Sequence, residues 1–551
     1  MRLARLLVNL SGVLVAQSTA TFNSDAAFFA ARSDKPKSAC SICAFRGLLP
    51  KNASVVSAIQ VEAGGSYGEG PANVAYPINA TELPELCAVT ISVRSSKTTF
   101  YRFGMFLPVD WNERFLAVGN GGLAGGINWA DMGYGTRYGH AVISTDTGHN
   151  STAWDVTWAF RSEDKRKDWG YRAMEGSVKL GKQLVEAYYQ KKIQFSYYSG
   201  TSTGGRQGLK EIQLHADSFD GALLGAPAWW VSHLSSSGSY WKSINLPLGA
   251  PHSIPVSSLK TIADEVMRQC DEVDGVKDGI ISDTNGCKFD VNALACDKSC
   301  ANTNANASAC LVPAQIDTLK TIYSNYSING SLIYPGMELS SELMWPSSVV
   351  SDQPPVNGYI NYFLLDDPDW IWEQYNDSLV AMAIERDPGN STPDDYAAMG
   401  EFAKRGGKMI MFHGWADGLI VPKSSLLLRE FIANATADES ELDNWFRLFM
   451  APGMQHSRGT AVGAPWYIAG AGQTRGRPGP RELDNPKHNG LLALMDWVEK
   501  GTSVDQIIAT SFKNDSDPAA GFLRQRPWCV YPKKQLFKGG DEKKAENWEC
   551  T

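Results

Sequence analysis

Between Phe195 and Gly208 the chain reads FSYYSGTSTGGRQG, a β-prone run that breaks at glycines on either side of Ser202 and continues into residues able to form a helix. A serine flanked by small residues fits the sharp strand-to-helix turn of a nucleophile elbow, which holds its hydroxyl out of the backbone. The elbow constrains everything around it. It needs a strand to come from, a helix to run into, and neighbouring strands whose loops carry a base and an acid. The same Gly-x-Ser-x-Gly spacing occurs at Gly64–Gly68, but Glu69-Gly70-Pro71-Ala72-Asn73 follows and cannot open a helix. Context therefore assigns the elbow to Ser202.

The rest of the chain supplies the required alternation. From Val55 to Val109, segments such as CAVTISVRSS and TTFYRFGMFLP read as antiparallel strands. Arg114–Gly119 is a short apolar strand running into the glycine-rich Asn120–Gly126, where no Lys-Ser/Thr completes a phosphate loop. A strand from His140 to Thr145, a helix from about Tyr171 to Lys191, the elbow strand, and a strand over Asp220–Pro227 follow. Strand and helix in alternation predict an α/β fold with a mostly parallel sheet covered on both faces. The rhythm lapses over 229–400, a stretch rich in Asn, Ser, Pro and Cys that reads as an inserted lid. It returns with the strands Lys408–His413 and Phe446–Met450 and a closing helix over Asn489–Lys500. The expected division is 21–228 with 401–551 as one α/β-hydrolase domain, and 229–400 as the lid.

A serine hydroxyl becomes a nucleophile when a base takes its proton and a third group fixes the base. His456 follows the Phe446–Met450 strand in the Pro-Gly loop APGMQH, and Asp417 follows the Lys408–His413 strand in GWADG. Ser202, Asp417 and His456 stand in the chain order of an α/β-hydrolase triad; His488 is the second candidate base. The amides of Thr203 and of Gly121 or Gly122 are the candidate oxyanion donors.

A second site is suggested by CDEVDGVKDGI, Cys270 to Ile280. Asp271, Asp274 and Asp278 repel one another unless a cation sits among them, and hard oxygen ligands indicate calcium, held structurally. The formal net charge of −8 provides no positive field for nucleic acid. Residues 1–20 combine Arg2 and Arg5, an apolar run and small residues, the layout of a signal peptide, and no other stretch approaches the roughly 20 apolar residues of a membrane span. Ten cysteines and the sequons at Asn52, Asn79, Asn150, Asn306, Asn325, Asn329, Asn376, Asn390, Asn434 and Asn514 point the same way, to a secreted, glycosylated, disulfide-bonded protein. The expected pairs are Cys270–Cys287, Cys529–Cys550, Cys296 with Cys310 or Cys300, and Cys87 with Cys43 or Cys40.

Taken together, GTSTGGRQGL, STDTGH, GNGGLAG, HGWADGLIVP and PGMQH resemble the tannase and feruloyl esterase family, from about Cys43 to Cys550. The resemblance implies an α/β-hydrolase fold with an inserted lid and hydrolysis of phenolic acid esters without an organic cofactor. Feruloyl and other hydroxycinnamoyl esters stand ahead of galloyl esters, and a hydrolase-fold protein that only binds such ligands is the alternative of another class. The resemblance makes Ser202 the nucleophile, His456 the base and acid, and Asp417 the orienting carboxylate. It also gives calcium the carboxylates of Asp271, Asp274 and Asp278 with the carbonyls of Val276 and Ile280. The lid aromatics Trp229, Trp230, Tyr240, Trp241, Tyr362, Phe363 and Trp370 are candidates for the pocket wall. One departure stands out. The family usually carries a disulfide between the residue before the nucleophile and the residue after the histidine; this chain has Thr201 and Ser457, for which a hydrogen bond is the expected substitute.

Overall fold

Apolar runs separated by glycine-rich turns assemble into one nine-stranded sheet. The structure is a computed structural model that describes residues 39–296, 310–350, 358–436, 439–474 and 479–551. The leader pattern of residues 1–20, Cys300 and the Asn306 sequon lie outside them. The strands are β1 (Ala53–Val61), β2 (Leu86–Arg94), β3 (Phe100–Pro108), β4 (Arg114–Val118), β5 (Ala141–Thr145), β6 (Phe195–Thr201), β7 (Gly221–Gly225), β8 (Lys408–Gly414) and β9 (Phe446–Ala451). Their spatial order is β1-β2-β3-β5-β4-β6-β7-β8-β9. The first three strands and the β3–β5 pair are antiparallel; from β5 to β9 every neighbour is parallel. This is the mixed central sheet of an α/β-hydrolase fold. The parallel strands therefore end together, which gathers their C-terminal loops at one edge.

Both faces of the sheet are covered, and the strand sequences show why. Along β8, Met409 and Met411 join one apolar cluster while Ile410 and Phe412 join the other, as successive side chains of a strand must. The first cluster takes in Leu184 of α2 (Ala173–Tyr189) and Leu209 of α3 (Thr203–Leu214). The second takes in Trp129 and Met132 of α1 (Trp129–Thr136), together with Leu491 and Leu494 of α7 (Gly490–Lys500). A two-stranded ribbon, Gln506–Phe512 with Phe522–Cys529, closes the second face, and Cys529–Cys550 staples the tail to it.

Between β7 and β8 the chain leaves the sheet. It forms α4 (Val231–Asn245) and α5 (Leu259–Cys270), and builds a separate apolar cluster around Trp241, Ile262, Val266, Leu319 and Trp345. The first helix after β8, α6 (Lys423–Thr436), follows the Asp417 loop, and Val421 of that loop joins the inserted cluster. The insertion thus rests directly on the loop that carries a candidate site residue.

The disulfides are Cys40–Cys87, Cys270–Cys287, Cys296–Cys310 and Cys529–Cys550. The expected Cys43 bridge is corrected: Cys43 is free and exposed. It lies in the short helix Ile42–Arg46, which turns Phe45 into the core and leaves Cys43 on the solvent side. Cys40 precedes that helix and sits with its Cα 5.5 Å from that of Cys87, inside the range a disulfide spans.

Candidate active site

Ser202 stands between β6 and α3 with φ 61° and ψ −124°, a backbone conformation that costs energy for any side chain other than glycine. Neighbouring bonds hold it there. Its N–H donates to Gly225 O at 2.8 Å, and its carbonyl accepts from Arg206 N and Ala228 N. The tight approach explains the flanking glycines: a Cβ on Gly200 would stand 2.6 Å from Gly204 O, and one on Gly204 would stand 2.9 Å from Asn120 O. The loop after β4 is therefore pressed against the first turn of α3. The competing Gly64–Gly68 match is explained as well, since Gly65–Tyr67 forms a two-stranded ribbon with Ala80–Leu83 and opens no helix.

The loops after β8 and β9 bring Asp417 and His456 together. His456 Nδ1 lies 2.6 Å from Asp417 Oδ2, so the ring donates its Nδ1–H and presents Nε2 as the basic atom. Asp417 is fully buried, and its Oδ1 accepts the amides of Leu419 at 2.8 Å and Ile420 at 3.0 Å. Burial alone pushes its carboxyl up. The His456 charge and the bonds from His413 and His456 outweigh that and hold it well below the usual carboxylate range. Ser202, Thr203 and His456 line one cavity of about 770 Å³. His488, the second candidate base, is not among its lining residues; it bonds Asn485.

His413, which sequence reasoning did not single out, is a second ring on Asp417. It is buried completely, with Nε2 3.1 Å from Asp417 Oδ2 and Nδ1 2.8 Å from Ser425 Oγ on α6. The signal was present in HGWADG, where His413 at a strand end stands four residues before Asp417.

Of the candidate oxyanion donors, Thr203 N–H is the first amide of α3, where no intrahelical acceptor exists. The Gly121 amide is engaged in this structure: it donates to Tyr76 Oη at 2.7 Å. Gly121 and Gly122 both line the cavity. Among the seven lid aromatics expected at the wall, Trp241 lines the cavity; Trp229 and Trp230 stack on each other elsewhere. Trp154, Trp169 and Tyr359 line it instead.

The hydrogen bond expected between Thr201 and Ser457 is not formed. Thr201 Oγ1 donates to Gly225 O at 3.1 Å, while Ser457 Oγ is buried without a partner. The neighbouring strand β7 already offers Thr201 an acceptor, which leaves nothing to pull it across to the His456 loop. The double variant Thr201→Cys/Ser457→Cys is expected to raise the melting temperature by several degrees without reductant. A crosslink closing so long a loop is worth up to about 5 kcal/mol, and removing the orphaned hydroxyl adds to it. Equal melting with and without reductant would show that no bridge joins the two loops.

The acidic loop follows α5 as a turn, Asp271–Asp274, and then bends at Gly275 (φ 87°) and Gly279 (φ 77°). Asp271 Oδ1 accepts from Gly279 N at 2.9 Å, Asp274 Oδ1 from Val276 N and Asp278 Oδ1 from Ile280 N, both at 3.0 Å. Asp274 Oδ2 is buried without a partner, the kind of atom a hard cation satisfies. Asp278 Oδ2 is turned to Arg526, and among the described residues no three acidic, His or Cys side chains converge as a metal-holding group. Asp274 Oδ2 is thus the one feature of the loop that suits a cation, while Asp278 already has its counter-charge in Arg526. None of its residues lines the cavity, but Ile280 lies against Gly453 of the His456 loop, 3.4 Å from where a Cβ would be.

Comparisons with known proteins identify the family and the fold. A family model described as tannase and feruloyl esterase matches residues 87–361 and 369–551. The chain is 32% identical over 472 residues to a probable feruloyl esterase B-2 of Aspergillus terreus, covering 85% of this chain and 86% of that one. It is 31% identical over 499 residues to a probable feruloyl esterase B-1 of Aspergillus flavus, covering 88% and 91%. The crystal structure of feruloyl esterase B from Aspergillus oryzae superposes with a TM-score of 0.84 at 30% identity, over 92% of this chain and 98% of that one. Tannin acyl hydrolase from Aspergillus niger shares the fold with a TM-score of 0.70 at 20% identity, over 94% and 96%. The chain belongs to the tannase and feruloyl esterase family.

Proposed function

We propose that the protein is a serine esterase that hydrolyses esters of phenolic acids, hydroxycinnamoyl esters such as feruloyl ahead of galloyl ones. The observation that carries this reading is the 2.6 Å bond from His456 to a buried, ionised Asp417, opening on the same cavity as the strained Ser202. His456 Nε2 takes the Ser202 proton as Oγ attacks the ester carbonyl. The Thr203 amide stabilises the oxyanion; with the Gly121 amide given to Tyr76, the Gly122 amide is the second donor. His456 then protonates the departing alcohol, and water releases the acid from the acyl-enzyme in a second pass. Retention of all three residues argues against a protein that only binds ligand. The test is hydrolysis of methyl ferulate, methyl p-coumarate, methyl caffeate and methyl gallate; no turnover of any of them would sink the reading.

Calcium is the proposed structural ion of the Cys270–Ile280 loop. Asp271, Asp274 and Asp278 with the carbonyls of Val276 and Ile280 would hold it, supported by the unpartnered Asp274 Oδ2 and by the Cys270–Cys287 staple. Its charge would offset the repulsion among the carboxylates and stiffen the support that Ile280 gives the His456 loop. Chelation is therefore expected to lower the melting temperature by several degrees. Calcium should restore it and magnesium should not, since magnesium resists shedding its water. At a hundredfold excess over Kd the stabilisation is about 2.7 kcal/mol. A melting curve indifferent to chelator would remove calcium from the account.

Export and glycosylation belong to the same reading. Four disulfides among the described residues suit an oxidising compartment. The sequon asparagines Asn52, Asn150, Asn325, Asn329, Asn376, Asn390, Asn434 and Asn514 are exposed, as acceptors of a glycan must be. Among the described residues no helix is long and apolar enough to cross a membrane.

A further inference from the structure

Much of the cavity wall is apolar, with Val231, Leu234 and Trp241 from α4 and Ile420 from the Asp417 loop. Tyr76 and Asp131 break that pattern. Asp131 lies in the first turn of α1. Its Oδ2 accepts from Asn128 Nδ2 at 2.9 Å and from Gly472 N at 3.1 Å, both neutral donors, and no hydrogen bond reaches Oδ1 among the described residues. Tyr76 Oη accepts the Gly121 N–H, so its oxygen is engaged while its own O–H finds no protein acceptor among the described residues. The two groups feel each other. Burial pushes both up from their usual values, and the Asp131 charge raises Tyr76 further. Arg458 is the cation that acts on Asp131, and Asn120 is the other polar side chain beside Tyr76. The tyrosine therefore stays protonated and remains a donor.

A carboxylate oxygen without a donor and a hydroxyl without an acceptor are what an alcohol or phenol O–H satisfies at once, since it both gives and takes a hydrogen bond. We propose that Tyr76 and Asp131 form a hydroxyl-binding subsite, in which the substrate O–H donates to Asp131 Oδ1 and its oxygen accepts from Tyr76. This inference rests on the esterase reading and names the group that the esterase selects. A methoxy group or hydrogen in the same place leaves Oδ1 of this half-buried carboxylate without a donor, which is how a polar site rejects an analogue. The hydroxyl comes either from the aromatic ring of the acid or from a sugar alcohol.

Three esters separate the sources: methyl 4-hydroxycinnamate, methyl 4-methoxycinnamate, and an arabinose ester of 4-methoxycinnamic acid. In the wild type, kcat/KM for one or both hydroxyl-bearing esters should exceed that for methyl 4-methoxycinnamate by about tenfold or more. The ester that shows the preference names the source. Asp131→Asn keeps an acceptor for Asn128 and Gly472 but loses the charge, and should shrink that preference by about tenfold. Tyr76→Phe should move it the same way. The proposal is overturned if the wild type shows no preference, or if both variants slow all three esters equally. Should Asp131→Asn fail to fold, the wild-type ratio and Tyr76→Phe decide. A wild type that cleaves none of the three brings down the esterase reading itself, a result seen before any variant is made.

Discussion

Ser202→Ala is expected to lower kcat for methyl ferulate by about 10⁵- to 10⁶-fold, with the fold intact. The magnitude follows from the role: without Oγ no acyl-enzyme forms, and what remains is binding plus the oxyanion donors, worth roughly 10³–10⁴ over water in other serine hydrolases. The fold survives because the hydrogen bonds holding residue 202 use its backbone, N–H to Gly225 O and C=O from Arg206 and Ala228. Alanine also tolerates φ 61° no worse than serine does. Two measurements settle it together: turnover of methyl ferulate, and a melting temperature equal to that of the wild type. Retention of more than about 1% of the wild-type rate with an unchanged melting temperature would place the nucleophile elsewhere.

The elbow was legible in the sequence because its constraints are local. Gly200 and Gly204 are required by approaches of 2.6 and 2.9 Å to backbone atoms, and such contacts leave a mark wherever the turn is made. The strands from β4 to β9 were legible for the same reason, each being an apolar run that ends in a loop of small residues. What stayed hidden depends on contacts between distant segments. Nothing near Tyr76 says that its hydroxyl meets the Gly121 amide, 45 residues later. Cys40 and Cys43 are equally good partners for Cys87 by spacing, and only the orientation of the helix Ile42–Arg46 separates them. Thr201 and Ser457 stand where a bonded pair is expected, yet the Gly225 carbonyl takes the threonine. The pocket wall was the least legible part. Aromatic residues of the insertion serve its own core as readily as the cavity, and composition does not distinguish the two uses.

Asp417→Asn is expected to lower kcat by about 10⁴-fold, the effect of the equivalent change in a serine protease. The geometry here gives a specific reason. Oδ1 accepts the amides of Leu419 and Ile420, so the asparagine carbonyl must stay on that side, because an NH₂ there would face two N–H donors. The NH₂ is thereby forced into the Oδ2 position, against His456 Nδ1 and His413 Nε2. His413 keeps its Nε2 proton on the Ile420 carbonyl, 3.0 Å away, so it loses only its bond to residue 417 and stays in its tautomer. His456 can pair only by accepting at Nδ1, which puts its proton on Nε2, the atom that must receive the one from Ser202. The ring is then held in place but in the wrong tautomer. The loss should therefore fall on kcat, with KM changed little, and the ester should still protect the variant against melting. A kcat within tenfold of the wild type would mean that Asp417 does not set the state of His456, and that the 2.6 Å bond between them serves the fold alone.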